Sequence, residues 1–264
     1  MPKFLMCPPE YYQIEYEINA WMDKNRQADA ERARDQWHEL YETLTARLGA
    51  EVELMSPVKG LPDLVFTANA GLVAGREFML SRFRYPERQR EAPVFESWFK
   101  ERGYQIHSIS GETCFEGEGD ALTLGETLFA GYQKRSDIQS HTWISGILKK
   151  RVLSLALIDP YFYHLDTCFF PLDARTAFYF PDAFDDYGRR VITESVPEPV
   201  PVSKEEAMRF GCNAIVSGRN VVLQKGCTGM TRVIEEKGFT VHELDLSEFH
   251  KAGGSAKCLV LRLS

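Results

Sequence analysis

Apolar and polar residues along this chain fall into a pattern that keeps returning. "NAGLVAGREFML" places two apolar stretches on either side of a short turn at Gly75. "GDALTLGETLFAGY" and "CNAIVSGRNVVLQ" do the same, and "HLDTCFFPLDARTAFYF" turns on Pro-Leu-Asp instead. Such stretches around a short Gly- or Asp-containing turn predict β-hairpins. After most hairpins the apolar spacing widens to that of a helix, then returns to that of a strand. "APVFESWFKERG" leads into "YQIHSI", "DIQSHTWISGILKK" into "RVLSLAL", and "MTRVIEEKG" into "FTVHEL". "ADAERARDQWHELYETLTARLG" sets Trp37, Leu40, Leu44 and Leu48 on one helical face before "AEVELM". Gly49, Gly103 and Gly238 fall where helix C-caps belong.

The predicted unit is strand, strand, helix, strand. About five copies fit the chain, the fifth closed by pairing "KCLVLRL" near the C-terminus with "KFLMCPP" near the N-terminus. Repetition on this scale predicts one closed α/β repeat architecture over residues 1–264, not two domains. An α+β sandwich with coincidental hairpins is the plainer alternative. The Pro-rich "SVPEPVPVSKEE" then reads as an extended strand entering a short helix capped by Ser203.

Composition removes several function classes. A formal net charge of -7 leaves no basic footprint for nucleic acid. No apolar run approaches the roughly 20 residues of a membrane span, and "MPKFLMCPPEYY" lacks the layout of a secretory signal. The cysteines at 7, 114, 168, 212, 227 and 258 are scattered, with no C-x-x-C pair. That predicts reduced thiols in a cytoplasmic setting and no zinc site. Oligomeric state stays open, and a homo-oligomer is allowed.

If the units surround a common axis, the starts of the hairpins converge there. The polar residues at those starts are Asn69, Glu116, Glu118, His164, Asp166, Asn213 and Cys258. His164 and Asp166 stand two apart, so in a strand both face one side. A histidine and a carboxylate on one face make a poor dry core and a good site for holding a cation and moving protons. The bland reading makes the carboxylates of "EGEGD" solvated turn residues, His164 a satisfied interior histidine, and Asn69 a turn residue. Two thiols compete. Cys258 follows Gly253, Gly254 and Ser255, while Cys227 precedes a helix whose dipole depresses a thiol pKa, with Thr228 as the expected cap.

"LPDLVFTANAG", "RYPERQ", "FEGEGDAL", "GYQKRSD", "HLDT" and "SEFHKAGGSAKCLVL", in that order from residue 61 onward, resemble the guanidino-group modifying enzymes. That superfamily holds arginine deiminases, dimethylarginine dimethylaminohydrolases, amidinotransferases and arginine dihydrolases. The resemblance implies an α/β fold, a five-bladed α/β propeller of pseudo-symmetric ββαβ repeats, in agreement with the repeat count. It also implies Cys258 as nucleophile, His164 as general acid/base and Glu116 as the acid that orients it. For the substrate it implies Asp166 and Asn69 around the guanidinium and Asp63 on the amino group. Arg84 or Arg88, with Arg135, would hold the carboxylate, and Asn19 would add a contact. Gly253 and Gly254 would let the backbone approach the substrate.

One position departs from part of the family. Deiminases and dimethylaminohydrolases typically end "F-x-x-D" in an acid, whereas this chain reads "F-T-A-N". An amide there is less biased toward a cation than a carboxylate, and asparagine is the arginine dihydrolase pattern. The implied activity is therefore hydrolysis of L-arginine to ornithine, ammonia and carbon dioxide through a thioether on Cys258, without metal or organic cofactor. The substrate cation and a protonated His164 would favour the thiolate. The alternatives are a single hydrolysis to citrulline, from arginine or a methylated arginine, a propeller that only binds a cationic amino acid, and a redox sensor built on Cys227.

Overall fold

The computed structural model describes residues 2–264 and folds into five three-stranded sheets. Strand β1 (Lys3–Met6) runs parallel to β2 (Glu51–Leu54), with the helix Ala30–Glu42 between them. The next four sheets share one plan: β3 (Gly71–Ala74), β4 (Glu77–Leu80) and β5 (Gln105–Ser108); β6 (Ala121–Leu124), β7 (Thr127–Tyr132) and β8 (Arg151–Ala156). They continue with β9 (Phe169–Pro171), β10 (Thr176–Tyr179) and β11 (Glu198–Pro201), then β12 (Ile215–Ser217), β13 (Asn220–Gln224) and β14 (Thr240–Leu244). In each, the first two strands are antiparallel and the third lies parallel to the second. Strand β15 (Leu261–Arg262) completes the remaining sheet by pairing Phe4 with Arg262 and Leu5 with Leu261. The ring closes on its own ends, as the repeat predicts, in a five-bladed α/β propeller.

Local chemistry explains the unit. Ala74 pairs with Glu77, Leu124 with Thr127, and Ser217 with Asn220, so three hairpins have two-residue turns. Each turn opens on a glycine at φ near +60° (Gly75 +61°, Gly125 +57°, Gly218 +61°), the conformation such turns demand. Pro-Leu-Asp serves the β9–β10 turn differently, with Asp173 Oδ1 accepting from the Arg175 and Thr176 amides. Parallel third strands require crossovers, and four helices supply them: Ala92–Glu101, Gln139–Leu148, Asp186–Ser195 and Thr228–Glu236. The first buries an apolar stripe of Phe95, Trp98 and Phe99, and the last buries Met230 and Ile234. "EPVP" forms β11, and Ser203 caps the next helix by accepting from the Glu206 amide.

The chain enters the first strands of these sheets differently from the sequence expectation. Asn69 lies in a 3-10 turn (Thr67–Ala70), Glu118 in another (Gly117–Gly119), and Asp166 in a third (Leu165–Thr167) with His164 at its start. His164 and Asp166 are thus not alternating residues of a strand. A tight turn aims their side chains, and the strand begins only at Phe169. The segment of residues 7–29, between β1 and its helix, packs back onto the ring. Tyr12 donates to the Glu248 carbonyl and Trp21 Nε1 to that of Tyr161. All six cysteines are unpaired, and among the described residues no helix is long and apolar enough to cross a membrane.

Candidate active site

The inner turns of the sheets meet, and their polar side chains interlock there while almost fully removed from solvent. On one side, His164 Nε2 lies 2.8 Å from Glu116 Oε2. The same carboxylate accepts from Arg135 Nη1 at 3.1 Å, and its Oε1 accepts from the Arg84 amide at 3.1 Å. The Glu116 amide donates to Ser136 Oγ, which donates to Asp120 Oδ2 at 2.7 Å. Asp120 Oδ1 in turn accepts from the Leu165 amide, fixing the turn that starts at His164. Burial opposes ionisation of Glu116, but Arg135, the hydrogen bond and charge of His164, and Arg88 outweigh it and hold its pKa far below the usual carboxylate range.

On the other side is the Cys258 sulfur. Asn213 Nδ2 donates to it at 3.1 Å, and its thiol faces Asp166 Oδ2 at 3.5 Å. Asp166 is pushed up to about 7 by burial, against the opposing pull of Lys257 and the hydrogen bonds to Cys258 and Asn213. The Cys258 thiol is raised well above its ordinary value by burial and then by the Asp166 charge. The expected thiolate is therefore not favoured by the protein alone. Cys227 is also pushed up, to about 12, by burial and Glu206, reversing the expected depression. Burial is the larger cause, and Glu206 adds to it, because its Oε1 accepts from the Gly229 and Met230 amides and neutralises that helix start. Thr228 is the first helical residue there, not the cap, and Cys227 caps without a side-chain bond.

Buried polar atoms without partners mark where a ligand could sit. They include His164 Nδ1, Asp166 Oδ1, Asp63 Oδ1 and Ser255 Oγ. Tyr16 stands beside Asp63, and its hydroxyl also lacks a well-formed hydrogen bond. Leaving buried acceptors unpaired costs about 1–3 kcal/mol each, a cost that active sites accept. A cavity of about 430 Å³ opens behind Asp166, lined by Glu118, Lys257 and apolar inner-strand residues. Asp166 lines it, whereas Cys258, His164 and Glu116 do not.

Other expected residues are present but engaged by the protein. Arg88 donates through Nε and Nη2 to Glu91, through Nη1 to Asn69 Oδ1 at 2.8 Å, and to the Asp63 carbonyl at 3.2 Å. Arg84 holds Asp137 and donates to the Arg135 carbonyl. Arg135 also donates to the Ile18 carbonyl and lies between the Tyr85 and Tyr163 rings, 4.7 Å from each. Asn69 donates from Nδ2 to the Glu116 carbonyl. Asn19 pins the 7–29 segment to the loop before Cys258 through the Ala252 carbonyl.

The glycines before Cys258 face protein, not open space. Gly253 has φ +87°, and a Cβ there would lie 2.9 Å from Tyr163 and 3.0 Å from Trp21. A Cβ on Gly254 would lie 2.5 Å from the Phe66 ring. The loop needs glycine because aromatic side chains press on it.

The profile of the family "N,N dimethylarginine dimethylhydrolase, eukaryotic" matches residues 4–264. The chain belongs to the dimethylarginine dimethylhydrolase family. Relatives on both sides of the Asn69 question are similar to it. The "Bifunctional arginine dihydrolase/ornithine cyclodeaminase ArgZ" of Synechocystis is 45% identical over 99% of this chain, which spans only 38% of that protein. The "N(G),N(G)-dimethylarginine dimethylaminohydrolase" of Mycobacterium tuberculosis is 39% identical over 99% of this chain and 85% of its own length. The crystal structure of the ArgZ N-terminal domain, in an asparagine-to-serine variant covalently bonded to a reaction intermediate, aligns with TM-score 0.95. Identity there is 43%, covering 100% of this chain and 98% of that one.

Within this family member, Asn213 is the site residue that sequence reasoning placed in the ring without giving it a role. Its signal was present. "TANAG" and "GCNAI" put an Asn-Ala pair at equivalent turns before β3 and β12.

Proposed function

We propose that this protein hydrolyses the guanidino group of L-arginine to ornithine, two ammonia and carbon dioxide through a covalent intermediate on Cys258. The observation that carries this reading is the pairing at one buried centre of two unlike halves. A sulfur lies between Asn213 and a carboxylate near neutrality, and a histidine is held by a carboxylate already surrounded by cations. The first half lacks a positive charge, which an arginine side chain would supply. Bound against Asp166 Oδ1, the guanidinium neutralises that carboxylate and lowers the cost of a thiolate beside it.

The thiolate then adds to the central guanidino carbon. The bond from that carbon to a terminal nitrogen breaks, and His164 gives the leaving nitrogen a proton, releasing ammonia. His164 next takes a proton from water, the hydroxide adds to the amidino carbon, and the sulfur leaves to give the ureido compound. A second round on the ureido carbon releases a second ammonia and a carbamate, which decomposes to ornithine and carbon dioxide. Asn69 supports two rounds. Its Oδ1 is spent on Arg88 and one N–H on the Glu116 carbonyl, so the side chain offers its remaining N–H, which suits a neutral ureido oxygen. Arg88 serves by fixing Asn69 and Asp63. The unpaired Asp63 Oδ1 suits the substrate ammonium.

We read residues 1–264 as one catalytic domain because all five blades feed one centre, acting on a small-molecule substrate without metal or organic cofactor. A free Cys258 thiol suits a reducing, cytoplasmic compartment. The second reading is a single hydrolysis to citrulline, which the family description and the mycobacterial relative favour. Incubation with L-arginine and chromatography of the products decides between them. Ornithine without lasting citrulline is expected, and citrulline accumulating alone overturns the two-round claim. Asn69→Asp is expected to shift the product toward citrulline.

A further inference from the structure

Asn213 makes more bonds to the nucleophile's surroundings than any residue expected from sequence. Its Oδ1 accepts from the Ser255 amide at 3.2 Å and the Cys258 amide at 3.1 Å. Two backbone donors on one atom fix that atom as oxygen, so the other terminus must be the NH2 group. That group donates to the Asp166 carbonyl at 3.1 Å and to Cys258 Sγ at 3.1 Å. All four hydrogen-bonding positions of the amide are therefore used, and the residue is fully buried. It ties together three distant segments, the turn before β12, the Asp166 turn and the nucleophile loop.

The sulfur sits between opposing groups. Asp166 Oδ2 can only accept when ionised and so favours the protonated thiol, while the Asn213 N–H can only donate and so favours the thiolate. Lys257 neighbours Cys258, but its ammonium is committed to Glu118 at 2.8 Å and to the Val260 carbonyl. Among the described residues, Asn213 supplies the one side-chain donor on the sulfur. We propose that Asn213 is the residue that holds and charges the nucleophile: its amide orients the Cys258 loop and donates the hydrogen bond that carries the thiolate once a cation faces Asp166. This rests on Cys258 acting as the nucleophile of the proposed reaction, but not on which guanidino compound is the substrate.

The test is iodoacetamide labelling of Cys258 from neutral to alkaline pH, without arginine, read by mass spectrometry of the Cys258 peptide. The unaltered protein is compared with Asn213→Asp, which keeps the acceptor for the two backbone amides and removes the donor, and with Asn213→Ala. A hydrogen bond to a charged acceptor corresponds to a rise of about one to two pH units in the labelling midpoint for both variants. With arginine, kcat is expected to fall by roughly 10- to 100-fold with KM little changed. As an opposing arm, Asp166→Asn keeps Asn213 and moves the midpoint down. Profiles of the folded Asn213 variants that superimpose on the unaltered one overturn the proposal, even if activity is lost. So does an Asp166→Asn midpoint that fails to fall, should neither Asn213 variant fold. A shifted profile in a protein that does not turn over arginine supports Asn213 and removes the arginine reading instead.

Discussion

Glu116 and Asp166 are both buried carboxylates at the centre of the same ring, and they are held in opposite ways. Glu116 accepts from Arg135, faces His164 and has Arg88 nearby, so its charge is sustained by the protein. Asp166 faces a thiol and an amide, with Lys257 already committed to Glu118, and burial lifts it to about 7. The contrast separates a finished half-site from an unfinished one. In the proposed reaction, the Glu116 half holds a histidine in one orientation through every step. In the same proposal, the Asp166 half is completed by a cation that arrives with the substrate, which makes nucleophile activation depend on binding.

The largest way to break this contrast is to remove the charge on the finished side. Glu116→Gln leaves Arg135 and His164 without their shared anion, and kcat for arginine is expected to fall roughly 100-fold or more in steady-state assays. Asp166→Asn acts on the side that waits for substrate. Its main expected effect is on KM for arginine, which should rise about 10-fold or more because a charge-assisted contact is lost.

Smaller, and independent of substrate, is the effect on stability against pH. The folded-state pKa of Asp166 is raised from 3.8 to about 7, so the folded protein binds an extra proton between those values and loses stability as pH rises through them. Asp166→Asn should therefore unfold several degrees higher than the unaltered protein above pH 7, with the difference vanishing toward pH 4. Glu116 is depressed from 4.5, so its contribution is present above that value and lost on acidification. Glu116→Gln should unfold lower at neutral pH, with the gap narrowing in acid. Parallel thermal-melt curves for the two variants would remove the distinction.

Much of the ring could be read from the sequence because its rules are local. Gly75, Gly125 and Gly218 announce hairpins, the helical stripes announce crossovers, and the last strand pairs only with the first. That polar residues gather at the inner ends of the sheets followed from counting units, and His164 on Glu116 and Cys258 beside Asp166 are two such pairs. What escaped was set by contacts between distant segments. The clamp of Asn213 on Ser255 and Cys258 spans more than 40 residues, and the engagement of Arg88 by Asn69 and Glu91 depends on how two turns pack. The Cys227 expectation failed because the thiol is buried and because Glu206 reaches that helix start from another helix. Local spacing also predicted a strand at His164, where the inner end of the blade needs a tight turn to bring two side chains to one centre.

The most direct test of the account is to quench the protein in acid during turnover of L-arginine and map its cysteines by mass spectrometry. A mass increase equal to arginine less one ammonia, on the Cys258 peptide and absent in Cys258→Ala or after exhaustion of substrate, is the predicted result. Steady turnover with Cys258 unmodified, or with the adduct on Cys227, would contradict it.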